Sequence, residues 1–106
     1  MKTAETFEVK IYIAGDIDTA KNVAQRYCTD IGLCVTVAPL DYIYSGGREA
    51  GMVIGFINYP RYPDSVDGIE AKAVGLADLL LDILSQWSYT IVMPENTIYK
   101  SIRGEG

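Results

Sequence analysis

The sequence predicts an α+β domain in the order β-α-β-β-α-β, with an optional strand at the end. Three observations carry this. Segments of period-two alternation fall at Phe7–Ala14 and Gly51–Tyr59, the spacing of half-buried strands. Two longer stretches, within residues 17–31 and 67–86, repeat apolar residues every three or four positions, the spacing of a helix face. Glycine, proline, asparagine and aspartate cluster at the boundaries between them.

The first strand sets Phe7, Val9, Ile11 and Ile13 against Glu8, Lys10, Tyr12 and Ala14. Gly15 and Asp16 end it. Asp16 is placed to cap the following helix, and Asp18 falls in its electropositive first turn. In that helix Ile17, Ala20, Val23, Ala24, Tyr27, Cys28 and Ile31 share a face, and Gly32 stands where a left-handed terminator is expected. A second strand starts at Leu33, and Pro39 within it calls for an edge position or a bulge. The extended run continues through Leu40–Tyr44 to a hairpin tip at Ser45-Gly46-Gly47-Arg48. The third strand, Gly51–Tyr59, is apolar on both parities, as a central strand would be. Pro60 and Pro63 then hold the chain extended around Tyr62. Asp67 with Glu70 resembles a capping box for a second helix reaching Gln86. Its stripe is Ile69, Ala73, Leu76, Leu80, Ile83, Leu84 and Trp87, and Gly75 in its interior suggests close approach to the sheet. Tyr89–Met93 is a fourth strand, and Thr97–Ile102 a possible fifth.

Right-handed β-α-β crossovers turn this order into a ferredoxin-like sandwich, an antiparallel sheet with both helices on one side. The other face is left without helices. If Ile11, Ile13, Val53 and Ile57 face the helices, then Tyr12, Ile54 and Phe56 face away.

At 106 residues one domain is expected, spanning 1–106 with flexible ends at 1–6 and 103–106. A chain of this size buries roughly 65% of its unfolded surface, enough for one core. The net charge is −5, and the nine Lys and Arg residues form no stripe that would track a phosphate backbone. There is no histidine, which leaves no Ser-His or Cys-His nucleophile pair and no zinc site of the usual ligands. Cys28 and Cys34 are expected as buried free thiols. No apolar stretch is long enough to span a membrane, so the expected location is the cytoplasm.

No catalytic, cofactor-binding or metal-binding set emerges. Asp78 with Asp82, and Asp16 with Asp18, read as solvated faces and caps. Gly46-Gly47 with Arg48 reads as a turn. The residues singled out for partner binding are Tyr12 and Phe56 on the uncovered sheet face, and Tyr59, Arg61 and Tyr62 in the proline-stiffened loop. Tyrosine and arginine dominate binding surfaces, and the prolines order the loop in advance.

Ile11-Tyr12-Ile13-Ala14-Gly15 resembles the first-strand motif of the RNA-recognition module. Gly55-Phe56-Ile57-Asn58-Tyr59 resembles the second half of its third-strand motif. That resemblance implies base stacking on Tyr12 and Phe56. Met52 replaces the basic residue that opens the motif, and the acidic balance repels phosphate, so nucleic acid is a disfavoured partner. Over most of its length the chain also resembles small bacteriophage-encoded proteins of unknown function, through residues 44–51 and 55–61. This second resemblance implies a non-catalytic accessory protein that binds and inhibits a host protein complex, such as a defence system. The alternatives are a small-ligand or nucleotide sensor acting as a dimer, and a single-stranded RNA binder. A homodimer through the sheet face, or cover by the C-terminal strand, is expected, because an apolar face needs cover.

Overall fold

The computed structural model describes residues 1–103. Its elements are β1 (Glu8–Ala14), α1 (Ile17–Ile31), β2 (Thr36–Tyr44), β3 (Gly47–Ile57), α2 (Val66–Ile83), β4 (Ser88–Val92) and β5 (Thr97–Ser101). The strands form one antiparallel sheet in the order β2-β3-β1-β4-β5. This is the ferredoxin-like arrangement with a fifth strand added at one edge. β2 is the opposite edge, which lets Pro39 sit in a strand without breaking an interior ladder. Among the described residues no helix is long and apolar enough to cross a membrane.

Local chemistry sets the helix ends. The Asp16 carboxylate accepts from the Thr19 backbone N–H at 2.9 Å and from its hydroxyl at 2.7 Å. Gly32, at φ 71°, closes α1, and the Leu33 N–H donates back to the Cys28 carbonyl at 3.1 Å. The cap of α2 is Ser65, not Asp67. Its Oγ accepts from the Gly68 N–H at 3.0 Å, and Asp67 sits inside the first turn. α2 ends at Ile83, three residues before the expected Gln86, in a turn where Ser85 adopts φ 54°. The Gln86 N–H donates to the Leu81 carbonyl at 3.0 Å and the Ser85 N–H to Asp82 at 3.1 Å. That is the glycine-type helix terminator, here built with a serine.

The register of β3 corrects the expected parity. Phe56 faces Val9, Ile54 faces Ile11, and Met52 faces Ile13. Directly opposed residues share a face, so Met52, Ile54 and Phe56 belong with the helix-facing residues of β1. All six are fully buried or nearly so. They pack with Ile91 against Ala20, Ala24, Ile69, Ala73, Leu76, Ala77 and Leu80. Phe56 alone contributes about 2–3 kcal/mol by burial. Because both parities of β3 are apolar, only pairing with β1 decides which one is core.

Gly75 makes room for α1, not for the sheet. The Tyr27 hydroxyl lies against it and donates to the Lys72 carbonyl at 2.9 Å, tying the two helices together. The thiols also depart from expectation. Cys28 is half-buried, while Cys34 is exposed in the connection before β2, which starts at Thr36 and not at Leu33. Near the N-terminus, the buried Asn58 side chain donates to the Glu5 carbonyl at 2.9 Å. Of the C-terminal tail expected to be flexible, residues 104–106 lie outside the described residues.

Candidate functional site

The uncovered sheet face is built around Tyr12. Its cross-strand neighbours are Val53 and Thr90, which in turn face Ala38 and Tyr99. One step along, Ala14 faces Gly51, and Gly51 faces Leu40. Past the Gly15 N–H, which donates to the Ala50 carbonyl at 3.1 Å, the β2–β3 hairpin runs on as a two-stranded ribbon. There Tyr42 pairs with Glu49 and Tyr44 with Gly47.

This ribbon forms one wall of a cleft of about 580 Å³, within the range of small-molecule sites. Tyr42, Tyr44 and Glu49 line that wall, the turn Ser85–Ser88 lines the other, and Tyr12, Ala14 and Thr90 lie between them. Gly51 is required by this geometry. A Cβ there would stand 2.6 Å from Tyr42 Cε2 and 2.6 Å from the Ile13 carbonyl oxygen. The Tyr42 ring therefore occupies the space that a side chain at Gly51 would fill.

The opposite wall carries Trp87, the chain's one tryptophan. The Arg103 guanidinium stacks on its ring at 3.7 Å from the centroid, and the Ile102 N–H donates to the Trp87 carbonyl at 2.8 Å. The segment after β5 thus clasps Trp87 beside the cleft.

Glu49 is the sole carboxylate side chain among the residues lining the cleft, which include no Lys or Arg, and the Arg103 guanidinium stands on the far wall upon Trp87. Burial, with smaller contributions from Glu49 and Tyr12, pushes the Tyr42 phenol up to about 12. It stays protonated and able to donate at neutral pH. Aromatic faces beside one carboxylate suit a flat, positively charged organic molecule. Among the described residues no cluster of His, Cys, Asp and Glu could hold a metal ion.

The residues expected to bind a partner divide three ways. Tyr12 lies in the cleft. Phe56 is fully buried and faces the helices, so it takes no part in any open surface. A homodimer face built on Tyr12 and Phe56 together is therefore corrected. Tyr59, Arg61 and Tyr62 sit at the other end of the sheet, where Ile57 pairs with Glu8 at the start of β1. Six strand steps separate the two ends, about 20 Å. Tyr42, Tyr44, Glu49 and Trp87 were not anticipated. Their signal was present in part, since Leu40, Tyr42 and Tyr44 alternate with period two. Trp87 fell on an expected helical stripe and is instead 56% exposed, beyond the end of α2.

No protein family and no curated protein matches the chain in sequence. Solved structures do match in shape. A phage SAM lyase in complex with S-methyl-5'-thioadenosine superposes with a TM-score of 0.74 at 14% identity, covering 100% of this chain and 97% of that one. Its apo state matches with the same TM-score at 15% identity, covering 100% and 98%. What is shared at this identity is the fold. The expectation of a non-catalytic inhibitor of a host complex is corrected by this finding, as is the expectation that the chain is no enzyme. The architecture read as a bare binding scaffold is shared, over the whole chain, with a phage enzyme. The resemblance to phage-encoded proteins is met to the extent that these neighbours come from phage.

Proposed function

We propose that this chain is a phage-encoded lyase that cleaves S-adenosylmethionine in the tyrosine-lined cleft and releases methylthioadenosine. The observation that carries the proposal is the lining of the cleft, aromatic side chains around a single carboxylate, on the scaffold of an enzyme of that activity. The substrate is a sulfonium with a flat purine. Its cation is attracted by Glu49 and by the ring faces of Tyr12, Tyr42 and Tyr44, and its purine presents a stacking surface to the same rings.

A lyase breaks the carbon–sulfur bond without adding water. The bonding pair stays on sulfur, which leaves as a neutral thioether and needs no acid, while the substrate's own carboxylate closes on the carbon that sulfur leaves and forms a lactone. This suits a chain without histidine. The charge on sulfur disappears as the bond breaks, and the neutral thioether that forms suits the aromatic rings of the cleft. Tyr42, held neutral, donates a hydrogen bond to the bound molecule, and Glu49 orients the sulfonium.

The test is incubation with S-adenosylmethionine and detection of methylthioadenosine by mass spectrometry against an enzyme-free blank. Glu49→Gln is expected to lower kcat/KM by at least about tenfold, the size of a lost charged contact. Release no faster than the blank, with no change in Trp87 fluorescence on adding substrate, would overturn the reading.

A further inference from the structure

A second groove, of about 570 Å³, opens at the far end of the sheet. It lies between the end of α1, the start of α2 and the loop that follows β3, and nothing in the proposed cleavage uses it. Leu33, Ile57 and Ile69 supply its apolar walls, with Tyr59 and Tyr62 at the loop side. The loop is held in one shape. The buried Asn58 side chain accepts from the Asp64 N–H at 2.9 Å while donating to Glu5, so it bridges the loop base from inside. The Tyr62 N–H donates to the Tyr59 carbonyl at 2.9 Å, closing a turn. Asp64 accepts from Lys72 Nζ at 2.7 Å and from the Ser65 N–H at 2.7 Å.

That network leaves one charge over. Lys72 is neutralised by Asp64, whereas Arg61 stacks on Tyr62 at 5.3 Å and has no carboxylate partner among the described residues. An apolar groove of ligand-sized volume, with a pre-ordered rim and one unneutralised guanidinium, fits one chemical class. We propose that this groove binds a small molecule with an aromatic or aliphatic body and a single anionic group, the anion meeting Arg61 and the body lying on Leu33, Ile57 and Ile69.

Cys34, exposed and lining the groove, supplies a native reporter. The probe is anilinonaphthalene sulfonate, an aromatic monoanion, compared with its uncharged analogue phenylnaphthylamine. Binding is followed by fluorescence. Alkylation of Cys34 by iodoacetamide is followed in parallel by peptide mass spectrometry. Saturable one-to-one binding is expected, with Cys34 alkylation slowed about tenfold at ten times the Kd. Arg61→Gln should weaken the sulfonate about tenfold and leave the uncharged analogue unchanged, and Arg61→Lys should restore part of the loss. Arg61 is exposed, so these variants do not disturb the core. Equal affinity for the charged and neutral probes, no effect of Arg61→Gln, or unprotected Cys34 would each overturn the proposal. None of these readouts depends on S-adenosylmethionine cleavage.

Discussion

Replacing Gly51 by alanine tests how the cleft is built. The added Cβ would meet Tyr42 Cε2 and the Ile13 carbonyl oxygen, each at 2.6 Å, with the Ala14 Cα at 3.1 Å. The ring can swing away, but the carbonyl belongs to the β1 backbone and can move only if the ladder to β3 loosens. Overpacking of this kind costs about 1–3 kcal/mol. Alanine recovers about 0.5–1 kcal/mol relative to glycine in the unfolded chain. A net loss of about 1–2 kcal/mol follows, which lowers Tm by roughly 5–10 °C for a domain of this size. The decisive assay is a double-mutant cycle in urea. In a Tyr42→Ala background the ring contact is gone and the carbonyl contact remains. Gly51→Ala should then cost about half as much, a coupling of roughly 0.5–1 kcal/mol. Additive costs, or a Gly51→Ala variant as stable as the parent, would refute the claim that the Tyr42 ring occupies the space above Gly51.

Three further outcomes can be checked. Ser85→Gly relieves a left-handed serine at the end of α2 and should stabilise the protein by about 1 kcal/mol in chemical denaturation. Tyr27→Phe should destabilise by about 1 kcal/mol through loss of the bond to Lys72; Gly75→Ala, obstructed in the parent by that hydroxyl, should become stabilising once Tyr27→Phe has removed it, as helix propensity takes over. Burial alone would raise the Asp78 pKa, but hydrogen bonds from Lys100 and Tyr89 outweigh it and hold the carboxyl below its ordinary 3.8. Its contribution to stability is therefore full above that value and lost as pH falls through the lower folded value. Asp78→Asn should flatten the acid limb of a stability–pH curve below about pH 4 and change its slope little near neutrality.

Much of the fold was legible because the signals were local. Asp16 and Gly32 mark the ends of α1 by their own chemistry, and Pro39 identifies an edge strand without any knowledge of its partner. The orientation of β3 was not legible. Val53 and Ile57 are as apolar as Ile54 and Phe56, and the choice between parities is made by pairing with β1, a contact between residues some forty positions apart. Ser65 lost to Asp67 as the expected cap because aspartate fits the first turn as well as the cap. The cleft was legible only through Tyr12. Its other walls come from a hairpin, and from a turn following α2, that meet only after the sheet has formed. Trp87 in particular looked like the next residue of a helix that had already ended.

The β2–β3 ribbon has an energetic consequence. Beyond Ala50 its two strands form ladder bonds only with one another, and an isolated hairpin in water is marginal at best. Tyr42, Tyr44 and Glu49 therefore ride on the part of the sheet with the lowest local opening free energy, while Tyr12 and Thr90 share the stability of the central strands. Amide hydrogen exchange should find the 42–44 and 47–49 segments opening without global unfolding. A molecule bound against that wall would slow their exchange in proportion to its occupancy, so the affinity of the cleft includes the free energy of holding its own ribbon closed.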